Sequence, residues 1–142
     1  MIPIFMDTSA FIALYNKQDS LHPQAVALHK QLTHTEERTL FVTTSAVILE
    51  LSNAFSRTRF RNTFHNINLL IKNSSIWEYI HVDEDLMNQG IQRFHTYDDK
   101  DWSVVDCIGM IVAENAGIQD IFTSDHGFKQ AGFNILLTTA KK

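Results

Sequence analysis

The chain has 142 residues, 44% of them hydrophobic and 20% charged, which suits one ordinary globular core, leaves little room for a second, and excludes a disordered chain. Its 16 acidic and 12 basic side chains give a formal net charge of −4, which at face value argues against a polyanionic partner such as nucleic acid. The single cysteine, Cys107, excludes an intrachain disulfide and fits a reducing, cytoplasmic setting.

Ile2 to Met6 is a short apolar run that reads as a buried strand and stops at Asp7. It lacks the basic start of a signal peptide, and no apolar run in the chain approaches the ~18–20 residues of a membrane span, so no membrane association is expected. Thr8 and Ser9 can cap a helix through Phe11, Ile12 and Leu14. His22 to Thr35 predicts a second helix, with Pro23 in its first turn. Thr39 to Thr43 is β-branched and apolar, a second strand. Ser45 then opens a helix through Val47, Leu51 and Ala54, and Phe60 to Lys72 predicts another. Ile76 to Val82 is the third strand and Glu84 to Tyr97 a polar helix, followed by an Asp98 to Asp101 loop. Ser103 to Asn115 is a nearly all-apolar helix closed by Gly117, a pattern that implies burial around most of its circumference. Gln119 to Thr123 and Asn134 to Thr138 are the last strands, joined by a helical turn near Phe128. Strands alternating with helices over one domain predict an α/β fold with a mostly parallel sheet covered on both faces. In such sheets the site lies beyond the carboxyl ends of the strands.

That rule singles out four acids: Asp7 after the first strand, Glu50 in the helix after the second, Asp106 in the first turn of the apolar helix, and Asp125 after the Gln119 to Thr123 strand. Neither Glu50 nor Asp106 has a Lys or Arg three or four residues away, so neither has a local ion pair. Like carboxylates ~4 Å apart repel by about 4 kcal/mol at an effective dielectric near 20. A divalent cation is the simplest relief, and oxygen-only ligands suit Mg²⁺ or Mn²⁺, the chemistry of phosphodiester hydrolysis. Each acid also has an ordinary structural reading: Asp7 as a helix cap, Ser103 and Asp106 as a capping box, Asp125-His126-Gly127 as a turn, Glu50 as the partner of a distant base. Asp101, two residues before the apolar helix, is the loop acid placed best to assist. The seven histidines form no i,i+3 or i,i+4 pair that would suggest a helical zinc site, and no glycine-rich phosphate loop is present.

The segments IPIFMDTSAFIAL, SAVILELSNAF, KDWSVVDCIGMIVAENAG and IFTSDHGFKQAGFNIL together resemble the PIN-domain ribonucleases, and most of all the VapC-type toxins of type II toxin–antitoxin pairs, from about Ile4 to Leu137. The resemblance implies a PIN-like α/β/α sandwich with a five-stranded parallel sheet, an Mg²⁺ or Mn²⁺ site, endonucleolytic cleavage of RNA, a cognate antitoxin and, by analogy, a homodimer. Carried over residue by residue, it implies that Asp7, Glu50, Asp106 and Asp125 are the catalytic and metal-binding acids, with Thr8, Ser9 and Ser124 in support. The sequence departs from the pattern at His126, where relatives often carry a basic residue.

Setting those four acids aside leaves twelve acids against twelve bases. Residues 52–76 hold no acid but carry Arg57, Arg59, Arg61 and Lys72. The RTRFR stretch, with Phe55, Phe60 and Phe64 around it, is the candidate RNA contact: arginines on phosphates and a ring to stack a base. Its ordinary reading is a solvated helix face over core phenylalanines, and another is an antitoxin surface. Two other functions remain open at this point: a degenerate PIN-like domain that binds RNA or protein without catalysis, and a phosphotransfer domain, which would need a lysine late in the chain where only Lys129 stands near the fourth acid.

Overall fold

In the computed structural model, which describes residues 1–138, five strands form one sheet: β1 (Ile2–Met6), β2 (Thr39–Thr44), β3 (Trp77–Ile80), β4 (Asp120–Phe122) and β5 (Asn134–Ile135). All the pairings are parallel and the order is β3-β2-β1-β4-β5. The apolar run Ile2–Met6 is the middle strand, which explains why it carries no polar alternation: Phe5 and Met6 are buried against helices.

The helices are α1 (Thr8–Tyr15), α2 (His22–Thr33), α3 (Ser45–Ala54), α4 (Thr58–Asn73), α5 (Glu84–Thr96), α6 (Val104–Asn115) and α7 (His126–Gln130). As its composition requires, α6 is the most enclosed, with every residue from Asp106 to Ala113 buried. Glycines set how closely it packs. A Cβ on Gly109 would lie 3.0 Å from the Phe5 ring, so α6 rests directly on β1. A Cβ on Gly90 would lie 2.5 Å from Ile108, so α5 rests directly on α6.

The elements differ from expectation mainly at their ends. The strand expected over Ile76 to Val82 keeps only Trp77–Ile80, and the one expected over Asn134 to Thr138 keeps only Asn134–Ile135. Both lie at sheet edges, where a single neighbour supports the ladder. Beyond β5, the Leu136 and Leu137 N–H groups still donate to Ile121 and Thr123 carbonyls, so the chain stays docked past the ladder. β2 runs one residue further than expected, to Thr44, whose side chain caps α3 by accepting from Val47 N–H.

The connection that positions the site is the long one. The chain builds outward from β1 through β2 to β3, then crosses back by α5 and α6 to add β4 on the other side of β1. The direction in which strands are added therefore reverses between β1 and β4, and a crevice opens at their carboxyl ends, where ligands bind in such sheets. Met6 pairs with Phe122, and Asp7 N–H donates to the Phe122 carbonyl at 3.1 Å. Residues 7 and 123–125 are thus neighbours at the crevice.

Candidate metal centre

Three helices begin at this crevice, and each presents one acid. Asp7 occupies the N-cap position of α1, Asp106 the third position of α6, and Asp125 the N-cap of α7. One carboxylate oxygen from each lies within 4.8 Å of the others, the one such group of three potential metal ligands among the described residues. Asp7 and Asp106 are buried and Asp125 is half-buried.

Each acid accepts a hydrogen bond that orients it. The Thr123 hydroxyl donates to Asp7 Oδ2 at 2.9 Å, Ser103 N–H to Asp106 Oδ2 at 3.0 Å, and Gly127 N–H to Asp125 Oδ1 at 2.8 Å. The ordinary readings are resolved one by one. Asp7 stands where a cap would, but its side chain caps nothing and turns to Thr123 instead, and Thr8 and Ser9, expected as caps, lie inside the helix. Ser103 and Asp106 do form a capping box. Asp125 does close a turn onto Gly127. The two local roles therefore coexist with membership of the cluster, because each uses one carboxylate oxygen.

Thr123 was not singled out in the sequence, where it reads as the β-branched end of a strand. It is fully buried and is the hub of the site. Its one proton goes to Asp7, so Ser9, at 3.0 Å, must be the donor in their mutual hydrogen bond. Asp125 N–H also donates to Thr123 Oγ1, at 3.0 Å, and Ser124 N–H to Ser9 Oγ, at 3.1 Å. Ser124, expected to support the site with its side chain, does so through this backbone N–H. Thr8 donates its hydroxyl to Glu50 Oε1, which ties α3 to α1. Glu50 is half-buried beside the three acids rather than within their group, and its charge helps raise the pKa of both Asp7 and Asp106. Asp101 is exposed and stands outside the cluster.

The electrostatics are those of negative charge without a counter-ion. Among the described residues the ion pairs are Arg93–Glu114 and Lys100–Asp99, and neither involves a clustered acid. Burial and the nearby Asp106 carboxylate push Asp7 up from 3.8 to about 7, against the lowering effect of the Thr123 hydrogen bond. Burial likewise raises Asp106 to about 6, with Asp125 and Glu50 adding to the rise and the Ser103 hydrogen bonds opposing it. The helix N-termini contribute partial positive charge but too little to cancel several carboxylates. An all-oxygen, cation-free donor set of this kind fits a hard divalent cation.

A profile of the PIN domain family matches residues 4–134. The chain belongs to the PIN domain family. The 23S rRNA-specific endonuclease VapC20 of Mycobacterium tuberculosis is 28% identical over 130 residues, covering 92% of this chain and 95% of the relative. The crystal structure of that protein, described as a Sarcin-Ricin loop cleaving toxin, superposes with a TM-score of 0.79 at 27% identity over 92% of this chain and 95% of that one. FitAcB from Neisseria gonorrhoeae shares the fold, with a TM-score of 0.64 at 14% identity over 93% of this PIN domain and 95% of its own chain. The five-stranded parallel sheet with helices on its faces is thus the PIN-like α/β/α arrangement.

The basic segment of this PIN domain lies at the start of α4. Arg57, Arg59 and Arg61 are exposed, with Arg61 Nε donating to the Ser56 carbonyl and the Arg59 guanidinium 4.8 Å from the Phe60 ring centroid. Of the two readings of the phenylalanines beside them, the structure bears out the core one. Phe55 is buried and stacks on Phe60 at 4.9 Å, and Phe60 and Phe64 pack against the core. The apolar pattern of this amphipathic helix draws its phenylalanines toward the core, and the arginines stand exposed beside the half-buried Phe60. Cys107 is buried within α6 and its thiol is pushed up by burial. No helix of the described residues is long and apolar enough to cross a membrane.

Proposed function

We propose that this chain is a metal-dependent endoribonuclease that hydrolyses RNA phosphodiester bonds, the toxin of a type II toxin–antitoxin pair acting in the cytoplasm. The observation that carries the reading is the cluster of Asp7, Asp106 and Asp125, three carboxylates gathered at the β1/β4 crevice with no ion-pair partner among the described residues. Membership of the PIN domain family and the likeness to a 23S rRNA-specific endonuclease supply the class of substrate. In this reading Asp7, Asp106 and Asp125 hold Mg²⁺ or Mn²⁺ with Glu50 completing the acidic wall, while Thr8, Ser9 and Ser124 keep the acids in register. When bound, the cation supplies charge stabilisation to the phosphodiester oxygens during displacement. Thr123 and Ser9 hold Asp7 in place. Thr8 fixes Glu50 at the rim. Asp7, held near neutrality by burial, is the acid most able to exchange a proton at physiological pH before a cation binds.

In this reading the exposed Arg57, Arg59 and Arg61 contact the RNA backbone, and Asp101, in the loop before α6, assists from outside the cluster. A cognate antitoxin is the protein partner, in keeping with solved relatives such as the VapBC2 complex of Rickettsia felis bound to promoter DNA. A homodimer is supported by exposed apolar side chains on neighbouring elements: Leu49 on α3 and Met87, Ile91 and Phe94 on α5.

The test is direct. Purified protein is incubated with RNA and Mg²⁺ or Mn²⁺, beside an Asp7→Asn variant and an EDTA control. Cleavage by the wild type that both controls abolish supports the reading. RNA left intact by the wild type, or cut equally by the variant, refutes it.

A further inference from the structure

Asp106 and Asp125 sit at the starts of two different helices, and one side chain joins those starts. Trp102 immediately precedes Ser103, the cap of α6 that holds Asp106. Its indole is buried and packs closely on α7: a Cβ on Gly127 would come 2.9 Å from its Cδ1 and 3.2 Å from its Nε1. Gly127 is the residue whose N–H pins Asp125 Oδ1. At the far end of α7, the indole N–H donates to Gln130 Oε1 at 3.0 Å. On the other side the Tyr97 ring packs against it, 5.2 Å between centroids. The Cδ1–Nε1 edge of the indole therefore meets both the first turn of α7 and the side chain of its last residue, while its own backbone leads into α6.

We propose that Trp102 is a positioning residue that sets the separation of Asp106 and Asp125, and through it the affinity of the acidic cluster for a divalent cation. α7 has only five residues, too few to hold its own N-terminus firmly by helical bonds alone. The indole supplies the missing support, and only glycine at 127 lets it come that close. Loss of such a support displaces a ligand by a fraction of an ångström, and residues that orient metal ligands characteristically change affinity by 10–100-fold when replaced.

This inference rests on the cluster being a cation site, and the experiment separates the two. Mn²⁺ alone is titrated by calorimetry into the wild type, Asp7→Asn, Trp102→Phe, Trp102→Leu, Gly127→Ala and, as a control remote from the site, Ile67→Val, with a metal-free melting curve for each. Failure of the wild type to bind Mn²⁺ in an Asp7-dependent way overturns the cation site itself. If the wild type binds, Trp102→Leu is expected to bind about 10–100-fold more weakly and Trp102→Phe, which keeps a ring against Gly127, within a few-fold of wild type. Gly127→Ala brings a methyl 2.9 Å from the indole and 3.2 Å from Asp125 Oδ1, so it is made alone and beside Trp102→Phe, which keeps the test intact if Trp102→Leu folds poorly. Alone it is expected to weaken binding like Trp102→Leu, and beside the smaller phenyl ring the loss is expected to shrink. An undiminished loss there places the effect on Asp125 directly and overturns the role of Trp102. Wild-type affinity in Gly127→Ala, or an equal loss in Ile67→Val at matched stability, overturns the role of Trp102.

Discussion

Replacing Asp7 by Asn should make the metal-free protein more stable at alkaline pH, although it removes a residue assigned to the site. The folded chain raises Asp7 from 3.8 to about 7, so the native state binds the proton more tightly than the unfolded chain does. Stability from this group is full below about pH 4 and is lost as pH rises to about 7. Each pH unit crossed in that window removes about 1.4 kcal/mol. Moving from pH 5 to pH 8 therefore costs the metal-free wild type roughly 3 kcal/mol through Asp7, or about 10 °C in Tm for a chain of this size. Asp106, raised to about 6, adds to the loss in both proteins. Asn carries no charge to desolvate and can still accept the Thr123 hydroxyl. At pH 8 in EDTA the variant should melt above the wild type, by at most about 4 kcal/mol in stability. Mn²⁺ at 100 times its Kd should narrow that gap by about 2.7 kcal/mol, and at 1,000 times its Kd by about 4.1 kcal/mol, enough to close it, while the variant gains little. Thermal melts by circular dichroism at pH 5 and pH 8, with EDTA or Mn²⁺, read all four conditions. Parallel pH profiles, or a variant that melts below the wild type in EDTA at pH 8, would refute the reasoning.

Thr123→Val keeps the shape of the hub but removes the hydroxyl that serves Asp7, Ser9 and Asp125 N–H; Mn²⁺ affinity by calorimetry should fall about 10–100-fold. Gly90→Ala drives a methyl group into Ile108, and chemical denaturation should show a loss of about 1–3 kcal/mol. Changing Arg57, Arg59 and Arg61 together to Gln should weaken RNA binding by an Asp7→Asn background protein and flatten the log–log salt dependence by about 2, with Mn²⁺ affinity unchanged. A salt slope equal to that of the parent would remove these arginines from the RNA surface.

The positions of Asp7, Asp106 and Asp125 were legible because a topological rule, rather than local propensity, points to them: each stands where a strand or helix meets the carboxyl edge of a parallel sheet. Asp106 was legible a second way, as a charge on an otherwise apolar helix. Glu50 was harder to place, since a wheel position sets its face but not its distance along α3, and it stands beside the three acids, tied to Thr8. Thr123 was invisible because a threonine ending a strand is ordinary β-propensity, and only the pairing of β1 with β4 shows what its hydroxyl faces. The phenylalanines of the RTRFR region kept two readings, a ring for a base or a core contact, for a related reason. Spacing cannot separate a ring offered to solvent from one stacked inward, and Phe55 is held by Phe60. Strand ends were overrun where the hydrophobic pattern outlasts the single neighbouring strand, as after Ile135.

The cluster draws on residues 116 apart in the chain, through Asp7 and Thr123. A growing polypeptide that has left the ribosome only as far as Lys100 already contains Asp7 and Glu50, yet it lacks Asp106, Asp125 and the strand that brings Thr123 to Asp7. Assembly of the acids must wait for β4, whose pairing with β1 is among the longest-range contacts in the sheet. A product that ends before β4 therefore lacks the assembled acids, and the interval between emergence of the chain and completion of its acids is set by the order of the strands along the chain.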